Sequence, residues 1–184
     1  VLAVSVLAVL HQPARVASGY SAKRLCSEIF NAGRSPEDIH REDLALMPIP
    51  LSFHVDRDQK LVSVRALWVR QTAVWRPGLG CALSTGTPVE ALQAQGFEPP
   101  PPPAEADWPR GERLPESPLP SEIDGAKLDA AIVSAFAEPN PDNLRRTRAV
   151  VVVYKGRLVA ERYAEGFDRQ TRLLGWSMTK SVIQ

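Results

Sequence analysis

Apolar positions along the chain change spacing several times, and each change marks an element. Residues Val1 to Leu10 (VLAVSVLAVL) are apolar but for Ser5. Crossing a bilayer takes roughly 20 such residues, so this run reads as a signal-peptide core, the last half of a membrane anchor, or a buried strand or helix. His11, Gln12, Pro13 and Arg15 follow at once, which favours export over a core element. Val16 and Ser18 are small enough for cleavage after Ser18, and Arg15 beside them suits an uncleaved anchor as well. From Ser21 to Phe30, Leu25, Cys26 and Ile29 recur at helical spacing and Gly33 follows as a stop signal, which predicts a short helix. Pro36, Glu37 and Asp38 open a second helical stretch before Pro48, with Ile39, Leu44 and Leu46 as its apolar members.

The period then falls to two. Phe53 and Val55 alternate with polar neighbours, Arg57-Asp58-Gln59 makes a turn, and Val62, Val64 and Ala66 alternate again, which predicts a hairpin within Leu51 to Val74. Arg76 to Cys81 reads as a loop by its Pro and Gly content. Nine of the 17 prolines lie between Pro99 and Pro120, five of them in an unbroken run, so this stretch is extended spacer rather than helix or strand. Beyond it, Leu128, Ile132, Val133 and Phe136 form one helical stripe between the candidate caps Ser121 and Asp124 and the terminator Pro139. Ala149 to Tyr154 and Leu158 to Tyr163 flank Lys155-Gly156 as a second hairpin. Gly166-Phe167-Asp168 is a turn, and Ser177, Met178, Val182 and Ile183 open an apolar helix. The expectation is an α+β chain with antiparallel sheet flanked by helices. Its parts are an apolar leader over 1–12, a helix and hairpin segment over 13–98, a Pro-rich linker over 99–122 and a second folded region over 123–184. A start at Val1 and a stop at Gln184 inside a helical pattern predict a piece of a longer protein.

Composition narrows the function classes. With 44% hydrophobic residues, 22 Lys+Arg and 21 Asp+Glu, the chain is neither fibrous nor wholly disordered, and its net charge of +1 offers no basic field for nucleic acid. Two cysteines, Cys26 and Cys81, and the scattered His11, His40 and His54 match no zinc spacing, so no metal and no cofactor are expected. In an exported chain the cysteine pair reads as a disulfide, stabilising by about 4 kcal/mol in the chain-entropy model; in a cytosolic one it reads as two buried thiols. His54, in a strand pattern, reads as a structural histidine, and Trp68, Trp75 and Trp108 as packing residues.

One constellation carries chemistry, Ser177-Met178-Thr179-Lys180. Residues three apart share a helix face, so the hydroxyl and the amine come within hydrogen-bonding reach. A serine hydroxyl must lose its proton to a neighbouring base as it attacks, and a lysine serves once burial or a nearby cation lowers its pKa from about 10.4. Met178, Val182 and Ile183 are the neighbours expected to supply that burial, and the helix start offers N–H groups, including that of Ser177, to an oxyanion. Trp176, beside the nucleophile, is a candidate for lining a substrate pocket.

The hairpin Val150 to Tyr163, the loop Gly166-Phe167-Asp168 and the segment Gly175-Trp176-Ser177-Met178-Thr179-Lys180-Ser181 together resemble the serine β-lactamase and penicillin-binding-protein superfamily. The likeness is to its branch of β-lactamase-related esterases and 6-aminohexanoate-dimer hydrolases. Gly19 to Ser27 and Arg76 to Cys81 look like the exported members of that branch. The resemblance implies the amino-terminal part of a β-lactamase/transpeptidase-like fold, ending soon after the nucleophile helix begins. It gives Ser177 the role of nucleophile and Lys180 that of base or proton relay. It also implies a small amide or carboxylic ester as substrate, with a D-alanyl-D-alanine peptidase as the rival enzyme and a non-catalytic envelope binding protein as the rival of another class. The superfamily completes its site with a Tyr-x-Asn or Ser-x-Asn motif and a Lys-Thr-Gly-like triplet downstream of the tetrad. Neither occurs in these 184 residues, so this piece alone is expected to be inactive.

Overall fold

A computed structural model of the chain describes residues 2–45, 47–101, 106–109, 111, 113–114 and 118–183. They form two compact units, Val1–Pro99 with Arg172–Gln184, and Pro100–Thr171.

In the first unit the apolar start and the helix expected over 21–30 are one element, α1 (Leu2–Phe30), which continues through Pro13. Proline removes a helix hydrogen bond and crowds the preceding turn, so tertiary contact must hold the element together. Ala14, Ala17, Ser18, Ser21, Ala22, Leu25, Cys26 and Ile29 recur three and four residues apart and are all buried. Their small size lets the helix lie close on a sheet, and the Ser18 hydroxyl satisfies itself by donating to the Ala14 carbonyl at 2.8 Å. A stripe of alanine and serine carries little hydrophobic signal in sequence, which is why the helix looked shorter. Cleavage after Ser18 would take Ala14 and Ala17 away from Ala66 and Val69, with which they cluster. Among the described residues no helix is long and apolar enough to cross a membrane.

The sheet is an antiparallel meander of β1 (Leu51–Asp56), β2 (Leu61–Ala66), β3 (Val69–Arg76) and β4 (Gly80–Leu83), in that spatial order. The expected hairpin is β1–β2, with Phe53 opposite Val64 and Val55 opposite Val62. The sheet then extends beyond expectation. β3 joins β2 through a two-residue turn, Leu67-Trp68, which lacks the Gly or Asn that usually marks one; Leu67 takes the left-handed conformation at φ 54. β4 includes Cys81, so the stretch read as a loop is a turn followed by a strand. That turn needs Gly78: its φ is +68, and a Cβ there would sit 1.6 Å from the Phe97 carbonyl oxygen. A short helix, α3 (Val89–Gln93), follows, with Leu92 buried.

Val62, Val64 and Ala73 of the sheet meet Ala22, Leu25, Cys26 and Ile29 of α1 in one cluster, closed by Ile39 and Leu44. Cys26 and Cys81 are disulfide-bonded, with Cα atoms 6.1 Å apart. The second helix, α2 (Pro36–Asp43), starts where Pro36 and the Ser35 cap place it and ends at Asp43; Leu46 lies outside the described residues. It is fixed to α1 by charge. Arg24 pairs with Glu28 at 3.2 Å and with Asp43 at 2.8 Å, and Arg34 pairs with Glu28, Glu42 and Asp43. Burial works against the Arg34 charge, but the Asp43 hydrogen bond and the Asp43 and Glu28 charges outweigh it and raise its pKa above the ordinary value.

The second unit follows the expected pattern closely. Asp124 caps α4 (Gly125–Phe136), accepting from the Lys127 N–H at 3.1 Å. Ile132 is buried, while Val133, counted with it in the stripe, is 57% exposed. β5 (Ala149–Tyr154) and β6 (Arg157–Tyr163) pair across Lys155-Gly156, whose φ values of 46 and 75 fit a tight hairpin turn. The Glu138 carboxylate accepts from the Arg145 and Arg146 N–H groups at 2.6 and 2.7 Å, tying the end of α4 to the approach of β5. In the Pro-rich stretch, residues 102–105, 110, 112 and 115–117 lie outside the described ones. Taken together, the architecture is α+β, with a four-stranded antiparallel sheet and helices.

Candidate functional site

The tetrad belongs to the first unit. Gly175 leads into a single 3-10 turn over Trp176–Met178, and α5 (Thr179–Ile183) continues from it. Trp176 holds φ 46, a conformation that costs a bulky residue energy and persists only where its surroundings enforce it. The enforcement is visible. The Trp176 ring stacks on Tyr20 of α1, with centroids 5.8 Å apart and planes 21° from parallel. The Arg24 guanidinium lies 5.1 Å from the indole centroid. Since Arg24 is also held by Glu28 and Asp43, the residue before the candidate nucleophile rests on a cation that is itself fixed.

The two predicted catalytic groups meet. Lys180 Nζ donates to Ser177 Oγ at 3.1 Å, as the three-residue spacing requires. Their surroundings differ from expectation in two respects. Both residues are exposed, and the neighbours expected to bury the amine do not: Met178 is 76% and Ile183 81% exposed, and the Val182 side chain lies outside the described residues. The helix start expected to present N–H groups is a three-residue turn, whose Met178 N–H is taken by the Gly175 carbonyl at 3.0 Å.

Trp176 does line a cavity, of about 290 Å³, with Tyr20, Lys23, Arg24, Ser27, Leu83 and Leu174. Ser177 and Lys180 are not on its wall. Partial loss of water around the ammonium, and then the Arg76 guanidinium, hold Lys23 below the ordinary lysine value. Tyr20, Lys23, Arg24 and Ser27 join this wall without being marked by any motif in the sequence. Their signal was present as polar positions at i, i+3, i+4 and i+7 on α1. Asp168 makes a turn only: one of its oxygens accepts from the Gln170 and Thr171 N–H groups and from the Thr171 hydroxyl. His54 is exposed on β1. Set against protein-family models, curated proteins and solved structures, the chain gave no match, so the resemblance rests on the motif residues themselves.

Proposed function

We propose that the chain supplies the nucleophile and its base to a β-lactamase-related serine hydrolase. The observation that carries this reading is the 3.1 Å contact from Lys180 Nζ to Ser177 Oγ. Neutral Lys180 takes the hydroxyl proton as Ser177 Oγ bonds to the carbonyl carbon of a small amide or carboxylic ester. The resulting ammonium returns that proton to the leaving amine or alkoxide as the acyl–N or acyl–O bond breaks, and water then releases the acyl group from Ser177. A neutral amine needs burial that Met178 and Ile183 do not give. In the proposal it comes from the chain that carries the second and third motifs, closing over the tetrad in a β-lactamase/transpeptidase-like fold. The protein is exported and either periplasmic or held at a membrane by the apolar residues 1–12. The 55-residue disulfide loop is in keeping with an oxidising compartment.

The exposure of Ser177 and Lys180 favours one rival, an envelope binding protein that keeps the fold without turnover. A fluorophosphonate probe on the full-length protein separates them. A hydrolase is labelled at Ser177, and Lys180→Ala slows labelling by about 10²-fold or more. Absence of an adduct at Ser177, where a control serine hydrolase labels, leaves the binding reading in possession.

A further inference from the structure

The end of the first unit that carries the β2–β3 turn has an unusual composition. Along α1, Leu25, Cys26 and Ile29 meet the middle of the sheet, whereas Ala14 and Ala17 cluster with Ala66 and Val69, the two residues flanking the Leu67-Trp68 turn. Moving toward the amino terminus of α1 is therefore moving toward that turn. The helix continues from Pro13 back to Leu2, a further 18 Å or so at about 1.5 Å per residue, and residues 9–13 are exposed. Val9, Val16, Leu67 and Trp68 are 70%, 69%, 40% and 47% exposed there. Two residues from the turn on either side, Arg65 and Arg70 stand directly opposite each other on the outer face of β2 and β3. Like charges in that register repel. Both are exposed, and among the described residues neither has an ion-pair partner. They line a shallow cleft of about 210 Å³ with Ser52, His54 and Ser63. The sequence has no Asp or Glu in residues 1–27, 44–55 or 61–89.

We propose that this edge docks on an anionic phospholipid leaflet. Trp68 and Leu67 sit at the interfacial level, Arg65 and Arg70 face the lipid phosphates, and the apolar start of α1 enters the acyl region. An aromatic tip backed by cations suits the boundary between hydrocarbon and headgroups, and the phosphates relieve the repulsion between the two guanidinium groups. The inference deepens the proposed attachment through residues 1–12 and is independent of any chemistry at Ser177.

The test is flotation of the 184-residue protein with phosphatidylcholine vesicles and with vesicles containing phosphatidylglycerol, at low and high salt. Binding is expected to favour the anionic vesicles. Arg65→Gln with Arg70→Gln should weaken it about thirtyfold there and leave phosphatidylcholine binding unchanged. Inorganic phosphate at millimolar concentration should not displace the protein; displacement by it would mean a soluble-phosphate site and overturn the proposal. Binding that ignores lipid charge and both arginines leaves attachment by residues 1–12 standing and overturns the docking edge. Failure to bind any vesicle overturns both. Trp68→Phe supplies a second measurement whose conservative change spares the fold: quenching of tryptophan fluorescence by brominated lipid should fall by half or more. Unchanged quenching would place Trp68 in water and refute the proposal.

Discussion

At the level of single residues, two serines show how far a hydroxyl's spacing determines its role. Ser177 and Lys180 meet because positions three apart share a helix face, and that much was legible in the sequence. The exposure of the amine was not, because it depends on what covers the turn rather than on the tetrad. Ser35 is fully determined locally: its Oγ accepts from the Asp38 N–H at 3.1 Å and donates to the Asp38 carboxylate at 2.7 Å, and Pro36 fixes the first helical residue. The Ser35 hydrogen bond first, and the Arg41 hydrogen bond second, hold the Asp38 carboxyl below its ordinary value. A carboxyl lowered in the folded state stabilises above its ordinary pKa, and that contribution is lost as pH falls through the lowered value. Ser35→Ala should cost about 1 kcal/mol at neutral pH, the ordinary worth of an N-cap side chain. Urea unfolding of the two proteins should show the gap narrowing once the medium is acid enough to protonate Asp38 in the folded state. A gap that widens in acid would contradict the cap.

Among the elements, contrast in burial decides which ion pairs matter. Asp43 is 12% exposed and holds both Arg24 and Arg34, each 8% exposed, so removing it leaves two guanidinium groups in a site with little water to share Glu28 and Glu42. Asp43→Ala should cost about 3 kcal/mol and loosen α2 from α1. Arg41, 66% exposed in its pair with Asp38, should cost far less when changed to Ala, because solvent screens the pair. Chemical denaturation of both variants checks the ratio; equal costs would mean that the buried cluster is not what fixes α2. The same contrast governs how much of the fold the sequence disclosed. α4, β5 and β6 were legible because strong apolar periodicity, an Asp124 cap and a Lys-Gly turn agree with one another. The sequence pattern divides α1 because Ala14, Ser18 and Ala22 hide a packed face in small residues. β3 was missed because Leu67-Trp68 turns without glycine or asparagine. In both places tertiary contact supplies what local chemistry does not.

For the molecule as a whole, the two units draw on different sources of stability. The first has a helix lying on a four-stranded sheet, two buried clusters and a disulfide. In the second, Ile132 of α4 is buried, while Val151 and Val153 of β5 are 52% and 47% exposed. An isolated two-stranded hairpin is marginal in water. The disulfide closes a 55-residue separation between α1 and β4, which in the chain-entropy model stabilises by about 4 kcal/mol through the unfolded state. Replacing Cys26 and Cys81 by alanine should remove most of that from the first unit alone. Hydrogen exchange read by mass spectrometry resolves the difference. Amide protection in β2 and β3 should fall by about 10²- to 10³-fold in the double variant, while protection in β5 and β6 stays where it was. Wild-type protein under a reducing agent should reproduce the variant's profile. If β5 and β6 lost protection in step with β2 and β3, the two units would be unfolding as one, and the separate accounts of their stability would be wrong.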